Sequence, residues 1–435
     1  MFLKRAFPRF IPQLVFVRHS SRSTNVPLED LDLEFKGLDT VSKIPLSKAN
    51  GPDPIYLKLR DDMYNLFYHD KKFNFKLGGV LPELRLAYET WGELNNEKDN
   101  AILLFTGLSA NSHAKRNASN LNPGWWEDFI GEKMAIDTEK FFVICVNHLG
   151  SCFGSTGPSS VGPVSKEPYG TNFPILTVDD MVKAQFLLLD YLGIQKLHAS
   201  VGSSLGGMCS LLSGLKYPSR VSKVIAISTC ARAEPSSIAM RYLQRKSIML
   251  DPKWNQGFYY GTEGPINGLR LAREIATVTY RSGPEWKQRF GRKKINSIDP
   301  MTLNPSFEIE NYLNYQGETF IAKYDPNSLL YLSKAMDLFD LSEGCENMVD
   351  AFQHLTCPVL IMGSQTDILF PVEQQRDLSK WIKQAGNSQV SYFEMDSLYG
   401  HDTFLLNLND VGTALKGFLE TKMAKSGEIS KSKRK

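Results

Sequence analysis

Ser204, Asp367 and His401 are the residues whose types and order could do covalent chemistry in this chain. Ser204 is the centre of Gly202-Ser203-Ser204-Leu205-Gly206-Gly207, a GxSxG pattern. The apolar run KLHASVG before it reads as a buried strand, and LGGMCSLLSGLKYP after it as a helix stopped by Pro218. In that context the pattern predicts a sharp strand-to-helix turn that lifts a serine hydroxyl out of a sheet. Gly202 and Gly206 supply the small neighbours such a turn needs. The Leu205 N–H, at the helix start, then points at a developing oxyanion. Taken alone, the pattern also fits a glycine-rich turn with an inert serine. Phosphate binding fits less well, because the Lys and Ser/Thr of a Walker loop are missing.

A serine nucleophile needs a base, and the base needs an orienting acid. The order expected after such a turn is serine, acid, histidine. Asp367 follows the apolar run CPVLIMGSQTD, and His401 lies in LYGHDTFLL beyond the last strand-like run, QVSYFEMDS. Of the seven histidines, only His401 has the required late position. Strand ends at one edge of a parallel sheet would bring the three together.

The elements that must position them are legible as buried runs. AILLFTG, FFVICVNHLG, KLHASVG, KVIAISTCA, CPVLIMGSQTD and QVSYFEMDS read as strands alternating with helical segments such as LTVDDMVKAQFLLLDYLGI. FKLGGVLPELRLAYETWGEL reads as a hairpin turning at Gly78 and Gly79. The alternation predicts an α/β fold with a doubly wound, mostly parallel sheet. From about residue 232 to 344 the rhythm breaks into helical patterns, LRLAREIATVTY and SLLYLSKAMDLFDL, which predicts an inserted helical lid. The expected layout is core over 75–231, lid over 232–344 and core again over 345–420. Residues 29–74 form an N-terminal extension and 421–435 a basic tail.

Composition narrows the class. Of 435 residues, 42% are hydrophobic and 22% charged, which excludes a wholly disordered chain. Lys and Arg number 50 against 47 Asp and Glu, a net charge of +3 that offers no general reason to bind nucleic acid. No apolar run approaches the ~20 residues of a membrane-spanning helix. Six cysteines without a CxxC pair read as free thiols in a reducing compartment. Residues 1–28 carry Lys4, Arg5, Arg9, Arg18 and Arg22 among Phe, Leu and Val, then a Ser-rich stretch, with no acid before Glu29. That is the pattern of a mitochondrial transit peptide, with a basic N-terminal arm as the alternative.

Several segments in order are more specific than GxSxG alone: FFVICVNHLGSCFGSTGPSS, ASVGSSLGGM, QRKSIMLDPKW, GSQTDILFP and GHDTFLL. Over roughly residues 75–420 the chain resembles the homoserine O-acetyltransferase family of the α/β-hydrolase fold, especially its fungal branch acting on serine or homoserine. The resemblance implies Ser204 as nucleophile, Asp367 as triad acid and His401 as general base. It implies that Arg245 meets the amino-acid carboxylate, that Asp402 holds the ammonium, and that the Leu108 N–H is the second oxyanion donor. It also implies acyl-CoA as co-substrate, no bound cofactor or metal, and a homodimer through the helical insertion.

Two loops depart from the family. FTGLSA stands at 105–110 where CHALTG is usual, and NHLGS, with His148 and Ser151, where NVLGG is usual. The expected reaction is ping-pong acyl transfer from an acyl-CoA to L-serine in cysteine biosynthesis. Succinyl-CoA is the expected donor, with Lys115 and Arg116 able to pair with its distal carboxylate. Serine O-acetyl transfer, homoserine O-acetyl transfer, an esterase and a non-catalytic interaction protein on the same scaffold are the alternatives.

Overall fold

The computed structural model describes residues 63–295, 303 and 305–421. The targeting reading of residues 1–28 and nearly all of the basic tail lie outside the described residues, as does most of the segment 29–74.

Eight strands form one sheet: β1 (Asn65–His69), β2 (Leu84–Trp91), β3 (Ala101–Phe105), β4 (Phe142–Val146), β5 (Ala199–Ser203), β6 (Val224–Ile227), β7 (Val359–Ser364) and β8 (Val390–Met395). Their spatial order is β1-β2-β4-β3-β5-β6-β7-β8. β1 and β2 are antiparallel, as are β2 and β4, and every other neighbour pair is parallel. β3, β5, β6 and β7 are buried along their whole length. They read as unbroken apolar or small-residue runs because helices cover both faces.

The helices of the core are α1 (Val178–Tyr191) and α2 (Leu205–Lys216) before the insertion. Beyond it come α8 (Val372–Gln384), the short α9 (Thr403–Leu406) and α10 (Leu408–Glu420). Side chains on β3 alternate between two cores, as strand geometry requires. Leu103 and Phe105 join Met181 of α1, Met208 of α2 and Leu378 of α8. Ile102 and Leu104 join Trp126, Phe129 and Val411 and Leu415 of α10. α1 begins where the sequence places it because Thr177 and Asp180 cap each other's backbone N–H groups.

Between β6 and β7 the described residues form five α-helices: α3 (Pro235–Leu250), α4 (Ile266–Tyr280), α5 (Gly283–Arg289), α6 (Glu308–Ile321) and α7 (Pro326–Asp337). Four of them, α3, α4, α6 and α7, share a small core of Ile248, Leu269, Ala272, Phe320 and Leu329. The expected lid is therefore a packed layer with apolar contacts of its own.

Two expectations change. The hairpin at Gly78 and Gly79 pairs only Phe73–Asn74 with Val80–Leu81, while LRLAYET pairs instead with β1 and β4. β1 itself lies within the segment read as an extension. It is an edge strand with Phe67 as its one buried residue, so the alternation that would reveal it is almost absent. Among the described residues no helix is long and apolar enough to cross a membrane.

Candidate active site

The turn between β5 and α2 forces Ser204 to φ 56° and ψ −122°. A non-glycine residue there is strained, and such strain is kept where the surroundings over-determine it. The flanking glycines show how. A Cβ on Gly202 would stand 2.0 Å from the Gly206 carbonyl oxygen, and one on Gly206 would stand 2.2 Å from that of Phe105. Both contacts are far below van der Waals distance, so only glycine lets α2 close down on β5 and β3. The Ser204 N–H donates to Ile227 O at 2.9 Å, and Thr229 Oγ1 donates to Ser204 O at 2.8 Å, locking the turn.

Asp367 stands just past the end of β7. One carboxylate oxygen accepts the N–H groups of Leu369 (2.9 Å) and Phe370 (2.8 Å), and the other lies 2.7 Å from His401 Nδ1. Nδ1 must therefore donate, which leaves Nε2 as the lone-pair nitrogen. Phe370 stacks on the imidazole at 5.2 Å and Phe404 meets it edge-on at 5.5 Å. Burial works against charging His401, but the Asp367 carboxylate and that of Asp402 outweigh it. The pKa of the imidazole consequently lies above the ordinary histidine value.

The turn carrying His401 is held from the lid. Gly400 adopts φ +60°, and a Cβ there would come within 2.9 Å of the Tyr280 carbonyl oxygen. Ser282 Oγ donates to the Leu398 carbonyl. Arg281 reaches Asp402 at 3.2 Å and Glu285 at 2.9 Å. The corner between α4 and α5 thus seats the histidine loop.

Ser204, His401, Asp402 and Leu108 line one cavity, with Gly107, Trp125, Arg241, Gln244, Arg273 and Tyr280 among the other walls. Asp367 sits behind His401. Leu205 is the first residue of α2, so its N–H lies at the positive end of that helix.

The structure places two sets of expected site residues away from this cavity. Arg245 does not line the cavity; it bonds Ser333 Oγ at 2.8 Å and pairs with Asp337 at 2.5 Å. It lies on the face of α3 that packs against α7. Lys115 and Arg116 are not cavity residues either. Both pair with Glu127, at 3.2 and 2.7 Å. Burial alone would raise the Glu127 pKa, but the N–H groups of Arg116 and Gly124 and those two cations bring it down to about 2.

The cations that do face the cavity are Arg241 and Arg273. Arg241 sits one helical turn before Arg245, and its Nε donates to Asp337 Oδ1 at 2.6 Å. Its Nη1 and Nη2 are buried and have no hydrogen-bond partner among the described residues. Arg273 lies over the rings of Phe320 (4.7 Å) and Tyr280 (5.0 Å). The signal was present in LRLAREIATVTY. Arg273, Ala276 and Tyr280 fall at i, i+3 and i+7, one helix face, and all three line the cavity.

Ser204 on its strained turn and His401, which the Asp367 carboxylate orients, line one cavity, and a serine and an imidazole so placed are the groups that make and break ester bonds through a covalent acyl-serine. That chemistry on this strand order defines an acyl-transfer enzyme of the α/β-hydrolase fold. Residues 100–408 match the family described as alpha/beta hydrolase fold. The chain is 47% identical to serine O-succinyltransferase of Emericella nidulans, over 86% of this chain and 84% of that one. It is 44% identical to homoserine O-acetyltransferase of Moorella thermoacetica, over 79% of this chain and 92% of that one. The solved homoserine O-acetyltransferase from Bacillus anthracis superposes with a TM-score of 0.78 at 28% identity, covering 83% of this chain and 98% of that one. The chain belongs to the CoA-dependent serine/homoserine O-acyltransferase family.

Proposed function

We infer that the chain transfers a succinyl group from succinyl-CoA to the hydroxyl of L-serine. The observation that carries this reading is the charge set of the cavity: Arg241, Arg273 and Asp402 around Ser204. The tetrahedral intermediate between a succinyl-enzyme and serine has two carboxylates and one ammonium besides the reacting centre. Arg273 and Asp402 line the cavity beside Tyr280 and suit the amino-acid zwitterion. Arg241, with two unpartnered N–H-bearing nitrogens, remains for the distal carboxylate of the acyl group. An acetyl group would leave Nη1 and Nη2 of that buried guanidinium without a partner, which costs about 1–3 kcal/mol. The similarity to the Emericella nidulans enzyme supports the same donor and acceptor.

In the first half-reaction Ser204 Oγ attacks the thioester carbonyl while its proton passes to His401 Nε2. The N–H groups of Leu205 and Leu108 stabilise the oxyanion. The C–S bond then breaks, and the departing CoA sulfur takes the proton from His401. In the second half the serine hydroxyl gives its proton to His401 and attacks the acyl carbonyl. The bond to Ser204 breaks, and the proton returns to its Oγ.

The test is a matrix of acetyl-CoA and succinyl-CoA against serine and homoserine, read by mass spectrometry. The highest kcat/KM is expected for succinyl-CoA with serine. A higher value with acetyl-CoA overturns the donor, and a higher value with homoserine overturns the acceptor. Residues 1–28 are read as a mitochondrial targeting segment on composition, which a reporter fusion tests. A homodimer through the lid is supported by exposed apolar side chains on α3 and α4, among them Leu243, Leu250 and Leu271. Sedimentation at monomer mass would overturn it.

A further inference from the structure

The peptide that carries the Leu108 N–H joins Gly107 to Leu108, and the peptides on either side of it are each held by a buried side chain. On one side His148 Nε2 lies 2.9 Å from the Thr106 carbonyl oxygen. On the other the Tyr324 hydroxyl donates to the Leu108 carbonyl oxygen at 2.6 Å. His148 comes from the loop after β4. Its Nδ1 faces the side-chain amide of Gln185 at 3.2 Å, so Gln185 donates to Nδ1 and Nε2–H donates to Thr106. Tyr324 comes from the lid, between α6 and α7. Its ring is clamped by Phe320, stacked at 5.2 Å, and by Phe153, edge-on at 5.5 Å. Both side chains are nearly inaccessible to solvent.

Neither residue touches the reacting atoms, and neither has a role in the mechanism above. Each costs the fold a buried polar group that an apolar residue would not bring. Each spends its donor on a carbonyl of one short loop, Thr106–Leu108, whose Gly107 and Leu108 line the cavity with Ser204. An oxyanion donor works only when its N–H is fixed before the charge develops. Holding the two flanking peptide planes fixes the plane between them, because the backbone has two soft dihedrals per residue.

We propose that His148 and Tyr324 are positioning residues for the Leu108 oxyanion donor, His148 from the core and Tyr324 from the lid. Seating of the lid and assembly of the oxyanion hole are then one event. A lid that lifts takes the Tyr324 hydroxyl with it and releases the donor loop. The proposal rests on the acyl-transfer reading of the site, with Leu108 as one of its donors.

The experiment compares the wild type with Tyr324→Phe, His148→Leu and His148→Gln. Three quantities are read: the single-turnover rate of acyl-Ser204 formation from succinyl-CoA, the KM for succinyl-CoA, and inhibition by an alkylboronic acid. The boronic acid's adduct with Ser204 puts an oxygen in the oxyanion site. Tyr324→Phe and His148→Leu are expected to slow acylation and weaken the boronic acid about tenfold each, with KM changed less than about twofold. His148→Gln restores most of the rate, because a side-chain amide can still donate to Thr106. Acylation and boronic-acid affinity within about twofold of wild type in Tyr324→Phe and His148→Leu overturn the proposal, as does a rise in KM at unchanged rate. If His148→Leu does not fold, Tyr324→Phe, which deletes one hydroxyl, decides alone. A wild type that forms no acyl-Ser204 sinks the acyl-transfer reading itself, a result distinct from normal acylation in the variants.

Discussion

Asp367 and His401 are joined at 2.7 Å, with the second oxygen of Asp367 pinned by two backbone N–H groups. The carboxylate therefore sets both the tautomer of the imidazole and its affinity for a proton. Because His401 must be neutral to act as base and its pKa is raised, kcat/KM should climb with pH through a midpoint above about 6.5. Asp367→Asn should lower kcat by about 10⁴-fold and move what remains of that acid limb to lower pH. A pH–rate profile of both proteins checks the direction.

Arg241 offers a selectivity measurement that does not depend on how much of the variant is folded. In Arg241→Leu the ratio of kcat/KM for succinyl-CoA to that for acetyl-CoA should fall about 10- to 100-fold, the value of one charge-assisted hydrogen-bonded contact. Asp337 keeps its pairing with Arg245 in that variant, so no buried carboxylate is left bare. An unchanged ratio would assign Arg241 to lid packing.

Asp402 stands next to the base and on the cavity wall. Asp402→Asn should raise the KM for serine about tenfold or more, since an ammonium loses its counter-charge. It should also shift the acid limb downward, because the Asp402 carboxylate is among the groups that raise His401. Steady-state kinetics at several pH values separates the two effects.

His148 links acidity to stability. Burial lowers its pKa to about 4, with the Thr106 hydrogen bond opposing that shift only in part. As pH falls below about 6.5 the unfolded chain takes up the proton first, so stability is full above that value and is lost down to about 4. The loss is about 2–3 kcal/mol by pH 4.5. Urea unfolding of the wild type and His148→Gln at pH 7 and pH 4.5 should show a smaller loss in the variant.

Two glycine replacements should go in opposite directions. Gly206→Ala drives a Cβ to 2.2 Å from the Phe105 carbonyl oxygen. It should cost about 3 kcal/mol and displace Ser204. Gly417 lies in α10 with nothing within 4 Å of an added Cβ. Gly417→Ala should stabilise by up to about 1 kcal/mol. Denaturant midpoints of the two variants decide.

Local pattern determined a large part of this protein. Buried parallel strands must be apolar throughout, so β3 and β7 announce themselves. A nucleophile turn must have glycine two residues either side of its serine, and the order Ser204, Asp367, His401 follows from strand ends along one sheet edge. What tertiary structure decided is which charges face inward. Arg241 and Arg245 lie one turn apart on α3 and both meet Asp337 of α7, yet Arg245 is also taken by Ser333, while Arg241 lines the cavity with Nη1 and Nη2 unpartnered among the described residues. Lys115 and Arg116 sit near the pocket in sequence but are claimed by Glu127. A charged side chain goes where its counter-charge is. That partner here lies 11 to 96 residues away along the chain, a distance over which periodicity carries no information.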